Sequence, residues 1–223
     1  MAVNLDLIKD NKYFIGLSSN QLGSLSKYFF EQEIKRGEVL LYEGEYSGAL
    51  YFVVHGTVKL YKTSAEGKEQ IIYIAGPGES FNDAAVIDDG ANLTSVQALE
   101  SVLLYGIRKL EFDDILKNNS QISLNAIKVV ASHERQLVSV IEDLSFKHVI
   151  GRVANILLKY AGDGAGPKPR LTQQEMAAIA GTVREVVGRS LKMLEADGII
   201  RLDRNRIVIS NKKALQDMVE MQS

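Results

Sequence analysis

The chain has 223 residues, 46% of them hydrophobic and 24% charged, with a formal net charge of −2, a composition that suits a globular protein of two modest domains. It contains no cysteine, which excludes disulfides, thiolate-held zinc, cysteine-ligated iron–sulfur clusters and cysteine nucleophiles. The near-neutral total hides an asymmetry: residues 1–145 hold 13 Lys+Arg against 20 Asp+Glu, and residues 146–223 hold 13 against 8, so an acidic body carries a basic end of the kind that meets a polyanion.

The start, MAVNLDLIKDNKYF, shows neither the basic and apolar regions nor the small-residue cleavage site of an export signal, and no apolar run approaches membrane-spanning length. The expectation is a cytoplasmic protein with no membrane partner. Between residues 34 and 107 come the short runs VLLY (39–42), ALYFVV (49–54), VKLY (58–61), QIIYIA (70–75), SVQAL (95–99) and SVLLYGI (101–107), punctuated by glycines. Short apolar strands with turns at near-regular spacing predict an antiparallel β-roll of the jelly-roll kind, with Glu66-Gly67 as a hairpin tip and Asp88-Asp89 in a turn. This places a first, sensor domain at 1–119.

From Ser120 the period becomes helical. Val130, Leu137 and Leu144 recur every seven residues, and Ala126, His133 and Val140 form a second row, together filling the a and d positions of a heptad. One apolar stripe can also bury itself against its own domain, but the heptad regularity favours a two-stranded coiled coil and a homodimer. The dimerisation helix is therefore set at 120–145, with Val130, His133, Leu137, Val140 and Leu144 in the seam. Leu144-Ser145-Phe146 breaks the heptad and marks a hinge, Ser145 being the expected N-cap of a helix through HVIGRVANILLKYA.

The remaining domain, 146–223, continues through a Gly- and Pro-rich loop, GDGAGPKPR (162–170). Two short helices, 172–180 and 183–196, meet at Gly181, and a hairpin follows: IIRLD, a turn at Arg204-Asn205, and RIVIS. The sum is a winged helix-turn-helix at the end of an α+β chain. Thr172 can cap the first helix, while Ala177, Ala178 and Ala180 let the two helices approach. In the second helix Val187, Leu191 and Leu194 fill the core face, and Glu185 and Arg189 lie one turn apart on the other, bordered by Arg184. Arginine bonds O6 and N7 of guanine together and glutamate accepts from the cytosine amino group. A glutamate among arginines therefore argues for base reading over phosphate gripping. The competing reading is an (i, i+4) surface salt bridge between Glu185 and Arg189. Thr172, Gln174 and Thr182 complete the candidate DNA-contacting set.

GTVREVVGRSLKMLEADGII, RGEVLLYEGEYSGALYFVVHGTVKLY and FKHVIGR together resemble the CRP/FNR family of dimeric transcription regulators, over about residues 15 to 212. REVVGR is similar to the recognition helix of the catabolite-activator branch. The resemblance implies that Arg184 and Arg189 read guanine and Glu185 reads cytosine in a TGTGA half-site. Val183 and Val186 replace hydroxyl residues that would touch phosphate.

In cyclic-AMP-binding members of the family, a glutamate holds the ribose and an Arg-Ser pair the cyclic phosphate. The matching stretch here is GESFNDAAVIDDGANLTSV: Asp83, after Asn82, stands at the glutamate position, Leu93 at the arginine, and Thr94 follows it. A buried phosphate without its arginine is an uncompensated charge. Leu137 and Val138 stand where hydroxyl residues meet the purine. The resemblance thus implies an effector pocket at Asn82, Asp83, Leu93, Thr94, Leu137 and Val138 that does not respond to cyclic AMP. The replacement is open between an aromatic or hydrophobic small molecule and haem, both used by relatives, and haem requires an axial ligand. Of the histidines, His55 sits at a strand end and His148 at a helix start, both surface positions. His133, in the seam, either sets register or acts as a ligand or pH sensor.

No nucleophile elbow, phosphate-binding loop or metal-ligand spacing is present in the sequence. The expectation is a homodimeric regulator, not an enzyme, that binds double-stranded DNA under control of an effector, with RNA polymerase as a further partner if it activates. A constitutive DNA-binding dimer without effector is the alternative.

Overall fold

The computed structural model describes residues 4–161, 170–203 and 206–220. In chain order the elements are α1 (Ser19–Leu25), β1 (Phe29–Ile34), β2 (Val39–Leu41), β3 (Ala49–His55), β4 (Val58–Thr63), β5 (Glu69–Ala75), β6 (Ser80–Phe81), α2 (Asp83–Ile87), β7 (Ser95–Ala98), β8 (Val102–Arg108), α3 (Lys109–Asn118), α4 (Ser120–Phe146), α5 (Val149–Tyr160), α6 (Gln173–Ala180), α7 (Arg184–Ala196), β9 (Ile200–Asp203), β10 (Arg206–Ile209) and α8 (Lys212–Glu220). Backbone contacts divide the chain into two compact units, Met1–Lys62 with Ile72–Gln136, and Thr63–Ile71 with Leu137–Ser223.

Two four-stranded sheets, ordered β1-β8-β3-β6 and β2-β7-β4-β5, form the roll. Strands β3 and β8 read as unbroken apolar runs because each serves two cores, alternate side chains going to opposite faces. Leu50, Phe52, Tyr105 and Ile107 pack with α3 and the start of α4, while Ala49, Tyr51, Val53, Val102 and Leu104 fill the roll interior. Phe30 and Gly106 are cross-strand partners, and a Cβ on Gly106 would lie 2.2 Å from Cζ of Phe30. Only glycine admits that ring. At the expected hairpin tip, Ser64 N donates to Lys68 O at 2.9 Å and Gly67 takes φ +80°. Likewise Asp89 turns with φ +60°, and Gly90 N donates to Asp88 Oδ1.

The first turns of α4 are drawn into the roll's outer core. Ile122, Ala126 and Val129 are buried there among Tyr13, Phe14 and Phe112, so Ala126 is a core residue and not part of a free seam. Asn125, also buried, donates through Nδ2 to the carbonyls of Tyr13 (2.9 Å) and Ile15 (2.8 Å) and fastens the N-terminal segment to the helix. The helix does not stop at Ser145. Lys147 N still donates to Asp143 O and its Nζ pairs with Asp143 at 2.7 Å, so helical bonding carries through to Phe146. His148, with extended backbone, is the N-cap of α5 in place of Ser145.

In the second unit α5, α6, α7, α8 and the β9–β10 hairpin enclose Val153, Leu157, Ala177, Val187, Leu191, Leu194 and Leu215. Residues 162–169 of the expected loop and the turn at Arg204-Asn205 lie outside the described residues. Among the described residues, no helix is long and apolar enough to cross a membrane.

Replacing Asn125 with alanine strips two buried carbonyls of their donor. Denaturant unfolding of Asn125→Ala is expected to show a loss of about 1–3 kcal/mol; a change within about 0.5 kcal/mol would mean that water takes over those carbonyls without cost.

Candidate nucleic-acid interface and sensor site

The helix-turn-helix is fixed at each joint by local chemistry. Thr172 caps α6 through a reciprocal box in which Glu175 N donates to Thr172 Oγ1 at 3.2 Å and Thr172 N donates to the Glu175 carboxylate at 2.5 Å. Gly181 ends α6 with φ +63°, a left-handed conformation that penalises any Cβ. A Cβ there would also meet Leu144 Cδ2 at 2.7 Å. Arg152 on α5 donates from Nε to Ala180 O (2.7 Å) and from Nη1 to Lys147 O (2.5 Å), clamping the end of α6 to the residue that follows α4.

α7 then divides cleanly into two faces. Val187, Leu191 and Leu194 are buried, while Arg184, Glu185 and Arg189 are all exposed. Among the described residues no ion pair joins Glu185 to Arg189, so the surface salt bridge that competed with base reading does not form. The N-cap, Val183, offers no side-chain acceptor, which leaves the first N–H groups of α7 and its positive dipole end open. Gln174 is exposed on the first turn of α6, Thr172 is exposed but committed as a cap, and Thr182 is half-buried in the turn.

In the roll, the residues matched to the nucleotide site are satisfied from within the chain. Asn82, at φ +72°, donates from Nδ2 to Ser47 Oγ (2.8 Å) and Ala49 O (3.0 Å). Ser47 Oγ donates on to Asn92 Oδ1 at 2.5 Å, and Asn92 Nδ2 donates to Tyr42 O. Asp83, only 4% exposed, accepts from Tyr13 Oη at 2.5 Å and, at a long 3.4 Å, from Ser80 Oγ. Its other oxygen lies 3.4 Å from His133 Nδ1. Burial raises the Asp83 pKa, opposed by the Tyr13 hydrogen bond, the His133 charge, its own backbone N–H and Ser80. Burial first, and then the Asp83 charge and hydrogen bond, push the Tyr13 phenol far upward, so it remains a neutral donor.

Leu93 is 61% exposed and supplies no cation. Lys62 reaches its carbonyl at 3.3 Å, but the charge of Lys62 is paired with Glu43 at 2.7 Å. Thr94 is half-buried. Leu137, Val138, Val130 and Leu144 are exposed, and Val140 is half-buried. His55 and His148 are exposed, and His133 is turned to Asp83 with its ring 6.2 Å from that of Tyr73. None of the three is a buried, uncommitted axial ligand, so the histidines do not fit haem. Among the described residues no cluster of three His, Asp or Glu is gathered for a metal ion. Tyr13, Ser47, Asn92 and Arg152 have no signal in the sequence pattern; each acts through a partner distant in the chain.

Residues 31–119 match the model of the cyclic nucleotide-binding domain and residues 151–218 that of the Crp-like helix-turn-helix domain. The chain is 29% identical over 211 residues to the cyclic AMP receptor protein of Thermus thermophilus, covering 95% of this chain and 98% of that relative. It is 29% identical over 209 residues to the CRP-like cAMP-activated global transcriptional regulator of Mycobacterium tuberculosis, covering 91% and 93%. Among solved structures, the Thermus thermophilus catabolite activator protein aligns with a TM-score of 0.56 at 28% identity, covering 96% of this chain and all of that one. FixK2 from Bradyrhizobium japonicum shares the fold, with a TM-score of 0.76 at 22% identity, covering 85% and 96%.

The exposed face of α7 generates a direct prediction. Arg184→Ala and Arg189→Ala should each weaken binding to the preferred duplex by about 1–3 kcal/mol and relax preference at one base pair. Competition against duplexes substituted one position at a time reads this out; an equal loss on every duplex would identify phosphate contacts instead.

Proposed function

We propose that this chain, which belongs to the CRP/FNR family of DNA-binding transcription regulators, works as a homodimer that reads a palindrome of TGTGA-like half-sites through α7 and is gated by a small molecule other than cyclic AMP. The carrying observation is the face of Arg184, Glu185 and Arg189, exposed and not paired with one another on a helix whose opposite face is buried. Thr172, Gln174 and Thr182 flank it as further DNA contacts. The exposed seam residues Val130, Leu137 and Leu144 support pairing through α4, which sets two recognition helices about 34 Å apart to meet successive major grooves. The domain division that goes with this reading is roll 1–119, dimer helix from 120, and DNA-binding domain from the joint at its end. A regulator of this kind acts in the cytoplasm and not as an enzyme, with RNA polymerase as its further partner where it activates.

Rejection of cyclic AMP follows from charge. Two of the relatives named above carry cyclic AMP in their names, but here Leu93 replaces the arginine, and Asn82 and Asp83 already have partners from their own chain. A cyclic phosphate would be desolvated without a cation. The same internal satisfaction supports a second reading, a constitutive dimer whose roll binds nothing.

Anisotropy of ligand-free protein on a TGTGA…TCACA palindrome and on a scrambled duplex, at two salt concentrations, separates the two. Weak binding that a small-molecule library strengthens is expected of the gated form, and tight selective binding without addition of the constitutive one. Equal binding to both duplexes would contradict both. A calorimetric titration with cyclic AMP should show no saturable heat, and tight binding would overturn the exclusion.

A further inference from the structure

We infer that Asp83 and His133 form a proton-operated latch between the β-roll and α4, through which pH sets the DNA affinity of this regulator. The inference rests on the reading of α4 as the element that carries the state of the roll to the DNA-binding domain.

The geometry is that of a buried anion with one titratable counter-charge. Asp83 sits on the first turn of α2, almost fully buried. Tyr13 Oη and Ser80 Oγ occupy one of its oxygens as neutral donors. Among the described residues its ionic partner is His133 Nδ1, 3.4 Å away. The His133 side chain is 34% exposed and open to water, whereas Asp83 is almost fully buried. Around the imidazole stand groups from each packed element. Tyr73 of β5 lies alongside it, and the Tyr73 hydroxyl donates to the Glu79 carboxylate. Lys12 of the N-terminal segment donates to Ser132 Oγ at 3.1 Å, one residue before His133. Glu134 and Arg135, the next residues on α4 itself, are exposed.

A buried carboxylate is tolerable while an imidazolium faces it. With a neutral imidazole it loses its counter-charge and keeps only neutral donors. Raising the pH through the histidine range of about 5 to 8 thus removes the attraction that holds α4 to the roll at this point. Lowering it far enough protonates Asp83 and removes the attraction from the other side. The sign for Asp83 alone is set by burial, which lifts its folded value above the ordinary 3.8. Its contribution to stability is then present below that pH and lost as pH rises through the folded value. The 3.4 Å contact is an ion pair only while the imidazole holds its proton and the carboxyl does not, and loss of either charge opens the latch. Tyr13 extends its reach: the same carboxylate joins α4 to the N-terminal segment, which Asn125 fastens to the helix one residue on either side of Phe14.

The test pairs two readouts from pH 5.5 to 8.5 on wild type, His133→Gln and Asp83→Asn: DNA affinity by anisotropy, and the His133 imidazole titration by carbon-13 NMR. In wild type the affinity should change by at least about fivefold, the low end of allosteric coupling, with a midpoint matching the His133 titration. Both variants should flatten the profile, and Asp83→Asn should shift the His133 titration downward. His55→Gln should leave both unchanged. A profile that survives in His133→Gln overturns the latch, as does a His133 titration unmoved by Asp83→Asn. Selective but pH-independent DNA binding overturns the latch and leaves the regulator reading standing. Absence of selective binding at any pH overturns that reading, and with it the pH control of affinity. Should Asp83→Asn fail to fold, the more exposed His133→Gln carries the test alone.

Discussion

A 27-residue helix buries its first turns and leaves the rest of its apolar surface open, and the other parts of the structure are arranged around that constraint. At about 1.5 Å per residue α4 is roughly 40 Å long. Ile122, Ala126 and Val129 complete the core beneath the roll. Beyond them Val130, Leu137, Val138, Ile141 and Leu144 remain exposed. Such a stripe on one helix is a seam that wants a partner, and a second copy of α4 is the occupant that the heptad spacing supports. In the proposed dimer, one helix would link an effector state in the roll to the distance between two recognition helices.

The two ends of the chain solve opposite electrostatic problems. α7 exposes its charges, and its rigidity comes from a buried hydrophobic back face, a glycine turn and the Arg152 clamp, the preorganisation that the proposed base reading needs. The roll does the reverse and buries a carboxylate. Asp83 costs solvation that neutral donors offset only in part, and the His133 imidazole stands 3.4 Å from its other oxygen. A site that supplies its own partners has little need of a ribose and no cation for a phosphate, so a match to the cyclic nucleotide-binding domain is compatible with the proposed rejection of cyclic AMP.

Much of this was legible in the sequence because period and turn chemistry are local. The runs at 49–54 and 101–107 gave their strands, Gly181 and the alanines before it gave the helix-turn-helix, and the spacing of Val187, Leu191 and Leu194 gave the orientation of α7. Strand β1 escaped because FFEQEI mixes three apolar and two acidic residues with no turn signal before it. The end of α4 was misplaced because Ser145 is a good cap in isolation, whereas the Asp143–Lys147 pair and the Arg152 clamp favour continued helix. The heptad assigned Ala126 and His133 to a seam because it counts positions along one helix and carries no information on what a neighbouring sheet demands. Tyr13 lies 70 residues from Asp83, and no periodic pattern connects them. Satisfaction of a buried polar group is a property of the fold.

The central claim, that α4 couples two copies so that paired α7 helices read a symmetric site, is tested most directly by the spacing of the half-sites. Affinity is measured on a duplex with TGTGA half-site centres one helical turn apart and on the same duplex with about five base pairs, half a turn, inserted between them. The account predicts at least tenfold weaker binding to the second, because its half-sites face opposite sides of the helix. Equal affinity for both would mean that each α7 reads DNA alone and that the exposed face of α4 serves some other purpose.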